Sequence, residues 1–319
     1  MTTDLRTQVG SVSLPNPLMT ASGTAGHGAE LAAFGPLDRL GAVVVKSLSA
    51  GPWPGNPPPR VHEASAGMLN SVGLQGPGVE AWVEEDLPGL LATGARVVAS
   101  IWGRRVEDYA AAAALLAAAP RAPVSSDDPG PGRGGLVAVE VNVSCPNVED
   151  RSRMFAHSPS ATAEAVDAAG AAGLPRWAKL SPNVADLREI AGAALSAGAE
   201  AVTLVNTLLG LALDLETRRP ALGAGGGGLS GPALHPVAVR AVWECREAFP
   251  DAGIVGVGGI FGAEDAVELL LAGADAVQVG TATFRDPRAP WKVLDGLERW
   301  CRRHRVAGVG ELIGGAHAH

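Results

Sequence analysis

The stretch GIVGVGGI (Gly253–Ile260), with AVQVGT (Ala276–Thr281) behind it, decides the fold. Each is a short apolar run that ends in glycine, and an Ala-rich, helix-like segment, Ala263–Ala272, lies between them. A doubly wound sheet carries its glycine fingerprint after the first strand. Here the glycine turns close the last two strands of the chain, which is where a (β/α)8 barrel binds phosphate. Bare backbone N–H groups at Gly258, Gly259, Gly280 and Thr281, beside a helix N-terminus, suit a phosphate monoester. A lone Gly-Gly would signify only a tight turn; its recurrence after two successive strands points to a phosphate-bearing ligand or cofactor.

Upstream, the same alternation repeats. Short β-branched or apolar runs at Pro17–Ala21, Ala42–Lys46, Arg96–Trp102, Leu136–Val143, Arg176–Leu180 and Ala201–Asn206 precede those at Gly253–Val257 and Ala276–Gly280. Between them lie the helix-like segments Val106–Ala118, Ala161–Ala172, Leu187–Ala197, Ala238–Phe249 and Ala263–Ala272. This periodicity predicts an α/β fold, a (β/α)8 TIM barrel with long loops at the C-terminal face of the strands, formed as a single domain over residues 1–319. Near-continuous hydrophobicity in Val137–Val143 suits staves buried on both faces. Two stretches fall outside the βα rhythm. Arg121–Gly135, rich in Ser, Asp, Pro and Gly, reads as a surface insertion, and Gly51–Gly78 reads as a long ordered loop of the kind that carries substrate contacts.

Composition narrows the function. With 47% hydrophobic and 18% charged residues the chain has ample apolar surface for a large core. A net charge of −8 argues against nucleic acid, since phosphate-backbone affinity comes from clustered Lys and Arg. The basic cluster Arg302, Arg303, His304, Arg305 reads as a solvated helix face. Apolar runs stop short of the ~18 residues that span a bilayer, and MTTDLRTQVG lacks a secretory pattern, so no membrane association and a cytoplasmic address are expected. The histidines show no metal-ligand spacing, so no metal site is expected.

In a barrel the chemistry sits where the strands end. The strand ends present Ser22, Lys46, Ser47, Ser100, Asn142, Cys145, Asn147, Lys179, Asn206 and Thr207. Two lysines, three asparagines and a cysteine converging on one mouth are too polar for packing alone, because each buried ammonium or amide needs a partner. Cys145 stands in a polar loop between Ser144 and Pro146, which favours a reactive role over packing; Cys245 and Cys301 lie in helical segments and read as packing residues. The three cysteines are too few and too scattered for an iron–sulfur cluster. By position alone Lys46 and Lys179 are Schiff-base formers, phosphate partners or charge stabilisers.

Taken together, NPLMTASGT (16–24), VVVKS (43–47), GNPPPRV (55–61), GMLNSVGLQGPG (67–78), VEVNVSCPNV (139–148), AKLSPN (178–183), VTLVNTLLG (202–210), GGLSGPALHP (227–236), VGVGGI (255–260) and AVQVGTATF (276–284) resemble the class 1 dihydroorotate dehydrogenases almost end to end. That resemblance implies an FMN-dependent oxidation of dihydroorotate to orotate in pyrimidine biosynthesis. It implies FMN phosphate on Gly258, Gly259, Gly280 and Thr281, and a flavin lined by Ser22, Lys46, Ser47, Ser100, Asn142, Lys179, Val205 and Gly231. The pyrimidine is expected on Lys46, Asn70, Ser71, Val72, Gly73, Leu74, Asn142, Asn147, Asn206 and Thr207. Cys145 is the implied base, taking the C5 proton while hydride leaves C6 for flavin N5; a thiol with an ordinary pKa of about 8.5 works near neutrality once neighbouring dipoles lower it. Lys179 is the implied charge stabiliser for reduced flavin.

GNPPPRV, MLNSVGLQGPG and the terminal ELIG (311–314) are most similar to the NAD-linked subclass 1B. This implies an electron-transfer subunit carrying FAD and a [2Fe–2S] cluster with NAD as acceptor, and a homodimer or heterotetramer. Departures from the family wording are Ser100 in SIWG, where asparagine is usual, the bulk of Trp102 beside it, the Arg121–Gly135 insertion, and VEDRSRMFAHSPS after Cys145. Two other readings of the residues are a paralogous FMN barrel acting on another dihydropyrimidine or cyclic amide, and a flavin-free phosphate-binding barrel.

Overall fold

The computed structural model describes residues 3–121, 134–144 and 154–318. A hairpin of β1 (Thr7–Val9) and β2 (Val12–Leu14) leads into the first barrel stave, β3 (Leu18–Thr20), and then β4 (Val43–Val44). After β5 (Val61–Ala64) and β6 (Gly67–Asn70), which lie outside the barrel, the staves continue as β7 (Arg96–Ile101), β8 (Gly135–Asn142), β9 (Arg176–Lys179) and β10 (Ala201–Leu204). Four short strands follow, β11 (Leu208–Gly210), β12 (Leu213–Asp214), β13 (Arg219–Pro220) and β14 (Gly227–Ser230), before the last staves β15 (Gly253–Val257) and β16 (Ala276–Val279).

The eight staves form one parallel sheet in the order β3-β16-β15-β10-β9-β8-β7-β4. A parallel bridge between Met19 and Ala42, with Gly41 N donating to Leu18 O at 2.7 Å, brings the two edges together. This is the predicted (β/α)8 barrel, and the helices Val106–Leu116, Pro159–Ala168, Leu187–Ser196, His235–Ala248 and Ala263–Leu271 fall where the Ala-rich segments stand. Their starts have local causes. Ser158 accepts from Ala161 N ahead of Pro159, and Asp186 accepts from Arg188 N, each satisfying an amide that the first turn leaves without a helical partner.

Alternation along the staves sorts the side chains into two cores. Val97, Ala99, Ile101, Val139, Val141 and Val143 pack outward beneath the helices. Val98, Ala138, Trp177, Ala201, Val255 and Ala276 pack inward, where Val9, Val12 and Leu14 of the N-terminal hairpin plug the lower end of the barrel. One step further along each stave, the inward positions become polar: Ser100 on β7, Glu140 and Asn142 on β8, Lys179 on β9, Gln278 on β16, all buried. Period two therefore turns an apolar floor into a polar mouth within one strand length.

Helix Ala289–His304, absent from the sequence-based set, buries Trp291, Leu294, Leu297 and Cys301. Its last turn exposes Arg302, Arg303 and His304 to solvent, as expected, and there they also oppose the negative end of the helix dipole. Cys245 and Cys301 are both buried, and burial pushes the Cys245 thiol up to about 12.

The loop reading of Gly51–Gly78 needs correction. Within it, β5 and β6 form a hairpin that joins β14 and β11 in a four-stranded antiparallel sheet, order β11-β14-β6-β5. Its strands are short and mostly half-exposed, and three of the four carry glycine, so they show neither apolar alternation nor β-branched runs, and main-chain pairing alone reveals them. No helix among the described residues is long and apolar enough to cross a membrane.

Candidate active site

The polar mouth is wired together from below. Glu140, with none of its surface exposed, accepts from Ser100 Oγ at 3.2 Å and from Gln278 Nε2 at 2.9 Å, and Lys179 Nζ stands 3.7 Å from its Oε1. Ser100 Oγ lies 2.9 Å from Ser47 Oγ, which lies 3.1 Å from Ser22 Oγ and takes a 3.1 Å bond from Asn142 Nδ2. The Asn142 carboxamide oxygen accepts from Ser144 N at 3.1 Å and from Asn206 Nδ2 at 3.4 Å, and Asn206 Oδ1 accepts from Thr207 N at 2.9 Å. Tyr109 OH donates to Asn142 O at 2.9 Å and anchors the end of β8. Residues on or just past seven staves (β3, β4, β7, β8, β9, β10 and β16) thus share one connected network.

The rim adds the remaining predicted positions. Lys46, just past β4, donates from Nζ to Gln75 O, so the loop Asn70–Leu74 and the ammonium are tied at adjoining points. Burial, with Arg60 nearby, holds Lys46 below the usual lysine value. Gly73 and Leu74 take φ of +72° and +62°, which turns the loop back at this point. Asn70 Nδ2 donates to Gly228 O at 3.4 Å, and a Cβ built on Gly228 would sit 2.0 Å from Thr207 Oγ1. β14 therefore presses its backbone against Thr207. Gly228→Ala is expected to cost about 1–3 kcal/mol by overpacking, read by urea unfolding. It should also raise KM more than it lowers kcat; unchanged stability and KM would show that Thr207 yields at no cost.

At the glycine turns after β15 and β16, Gly258 and Gly259 have φ of +145° and +68°, and a Cβ on Gly259 would meet His235 Cβ at 2.6 Å. Glycine is required there for packing against the start of helix His235–Ala248. The turns nevertheless leave donors: no hydrogen bond within the described residues uses the N–H of Gly259, Gly280 or Thr281. Thr281 Oγ1 donates to Ser230 Oγ at 2.8 Å, next to Gly231, and a Cβ on Gly280 would meet Ala21 Cβ at 3.3 Å. Val205 is buried where the chain leaves β10. Open N–H donors from two turns, a hydroxyl and a nearby hydroxyl–amide network make a donor set that fits a phosphorylated flavin.

Cys145 and Asn147 lie outside the described residues, as do residues 122–133 of the insertion and 148–153 after the cysteine. The last described residue before Cys145 is Ser144, one position past outward-facing Val143. Ser100, the departure from the family wording, has its hydroxyl fully committed to Ser47 and Glu140. Trp102 is buried with its ring edge-on to Trp53 at 5.7 Å. Sequence reasoning missed Glu140, Gln278 and Asn183, whose amide donates to Thr207 O at 2.9 Å and whose oxygen takes Leu209 N. A signal exists for the first two: Glu140 stands two before Asn142 and Gln278 two before Gly280, so each shares the inward face of its stave with a site residue.

Comparison with known proteins follows the same outline. Residues 4–300 match the family model described as dihydroorotate dehydrogenase. The chain is 46% identical to a protein of Desulforudis audaxviator over 97% of its own length and 96% of that protein's. It is 43% identical to one of Geotalea uraniireducens over 98% and 97%, and 43% identical to one of Alkaliphilus oremlandii over 96% of each. All three relatives are named dihydroorotate dehydrogenase B (NAD(+)), catalytic subunit.

Proposed function

The chain belongs to the dihydroorotate dehydrogenase family, and from that premise we propose that it is the catalytic subunit of an NAD-linked enzyme that oxidises dihydroorotate to orotate in pyrimidine biosynthesis. The observation that carries this reading is the network that ties Asn142, Lys179, Asn206 and Thr207 together at the strand ends, with Lys46 at the end of β4 and glycine turns with open N–H groups at the ends of β15 and β16. FMN, held by those turns and by Ser22, Ser47, Val205 and Gly231, supplies the hydride acceptor when bound.

The chain's own residues do the rest. Orotate forms when dihydroorotate loses a proton from C5 and a hydride from C6. Cys145 is the base for the C5 proton. Asn142 and Asn206, with Asn70 and Asn147, match the ring's alternating N–H and C=O edges because an amide offers both donors and an acceptor. Lys46 balances the substrate carboxylate. Lys179, drawn out of water beside Glu140, supplies positive charge in a dry site, where it counts for more than at the surface. Electrons leave for NAD through a second subunit bearing FAD and a [2Fe–2S] cluster, consistent with the word subunit in the relatives' names and with a chain of only three cysteines. This reading includes one domain, a cytoplasmic address and a homodimer or heterotetramer.

The test is the visible spectrum of the purified chain under anaerobic conditions, before and after dihydroorotate. A flavin band that bleaches is the expected result. A band that persists moves the substrate to another cyclic amide, and absence of any band, with no FMN uptake, leaves a phosphate-binding barrel without flavin.

A further inference from the structure

Glu140 has no part in the chemistry above, yet it is the one carboxylate inside the described part of the barrel mouth, and its charge has a directional consequence. We propose that Glu140 is a positioning residue that dictates which way each hydrogen-bonding group of the mouth points. The inference rests on the proposed function for what the mouth holds, but its logic is that of donors and acceptors alone.

A carboxylate only accepts, so Ser100, 3.2 Å from Oε1, spends its single hydroxyl hydrogen on Glu140. Ser47, 2.9 Å from Ser100, must then donate to it. With its own hydrogen spent, Ser47 can only accept from its other neighbours. Ser22, at 3.1 Å, therefore donates to Ser47 and turns its lone pairs to the mouth. Asn142, also at 3.1 Å, must present its NH2 to Ser47. That fixes the Asn142 oxygen toward Ser144 N and Asn206 Nδ2, and leaves Asn206 Oδ1 to Thr207 N. A single buried charge is thus relayed through two hydroxyls, Ser100 and Ser47, to a third on Ser22 and to two amides. The same carboxylate holds Lys179 at 3.7 Å, and Gln278 donates to its other oxygen at 2.9 Å from the far side of the barrel. Glutamine at 140 would keep the shape and lose the rule, since an amide donates as readily as it accepts.

Three variants of the purified chain test this: Glu140→Gln, Glu140→Asp and Ser100→Ala, each compared with wild type. FMN is titrated into the cofactor-stripped chain by fluorescence quenching, and the midpoint potential of the bound flavin is measured. Glu140→Gln is expected to weaken FMN binding by roughly tenfold or more, the scale of one lost charge-assisted hydrogen bond, and to move the potential to more positive values, because Lys179 loses its counter-charge. Glu140→Asp, which keeps the charge, is expected to restore most of the potential. Ser100→Ala cuts the hydroxyl relay but spares the ion pair, so it should weaken FMN while leaving the potential in place. Wild-type affinity and potential in Glu140→Gln overturn the inference, and if that variant does not fold, wild-type affinity in Ser100→Ala does so. A wild-type chain that takes up no FMN overturns the proposed function instead. The positioning role is then read from the flavin-free chain, where Glu140→Gln is expected to lower Tm by roughly 5–10 °C, well beyond Ser100→Ala, and equal Tm values overturn it.

Discussion

Cys145→Ser is expected to cut the rate of flavin reduction by dihydroorotate by about 10²–10⁴-fold while the flavin band is retained, the range that a positioned general base contributes. The substitution changes one atom and leaves the residues proposed to line the flavin untouched. A serine hydroxyl is a far weaker acid than a thiol of pKa about 8.5, so at neutral pH it does not supply the anion that removes a C5 proton. Residual activity should therefore climb toward alkaline pH. Stopped-flow bleaching at neutral pH provides the measurement, and wild-type rates there would remove Cys145 from the role of base.

Lys179→Met has a comparable effect of another kind. Its side chain is 7% exposed and that of Glu140 is 0% exposed, so removing the ammonium leaves a carboxylate with no route to water. Breaking a buried pair from one side costs about 3–5 kcal/mol, and Ser100 and Gln278 offset only part of it. Urea unfolding is expected to report that loss in the flavin-free chain, and the purified variant is expected to be colourless. A stability within about 1 kcal/mol of wild type would mean that neutral donors suffice for Glu140 and that Lys179 stands there for the ligand alone.

The barrel was legible because its signal is repeated. The staves from Arg96–Ile101 to Ala276–Val279 are mostly apolar runs bounded by turn residues and largely buried, and five crossover helices fall on distinct Ala-rich segments. The strand-end residues were legible for a geometric reason, since in this fold the end of a strand is the site. Glu140 was harder to see because it lies in the apolar run of Val137–Val143, where only its spacing from Asn142 distinguishes it. The ladder between Gly228 and Asn70 had no local trace: it joins residues 158 apart, and neither β6 nor β14 alternates apolar with polar side chains. Helix Ala289–His304 does carry an apolar face, at Trp291, Leu294, Leu297 and Cys301, but it follows the last stave and falls outside the alternation that exposes the others.

That four-stranded sheet also bears on how the protein assembles. Its two halves come from residues 61–70 and 208–230, so its central ladder cannot close until the chain between them, which builds half the barrel, has been brought round. Contacts of such long sequence separation form late, after the loop-closure entropy has been met elsewhere. Among its strands only Leu69 is buried, and little else anchors them beyond backbone ladders. Units of this kind open at free energies well below global unfolding. Among the described residues, the strand end that bears Asn70 and the backbone that braces Thr207 thus belong to a unit expected to form late and to open at lower cost than the barrel beneath it.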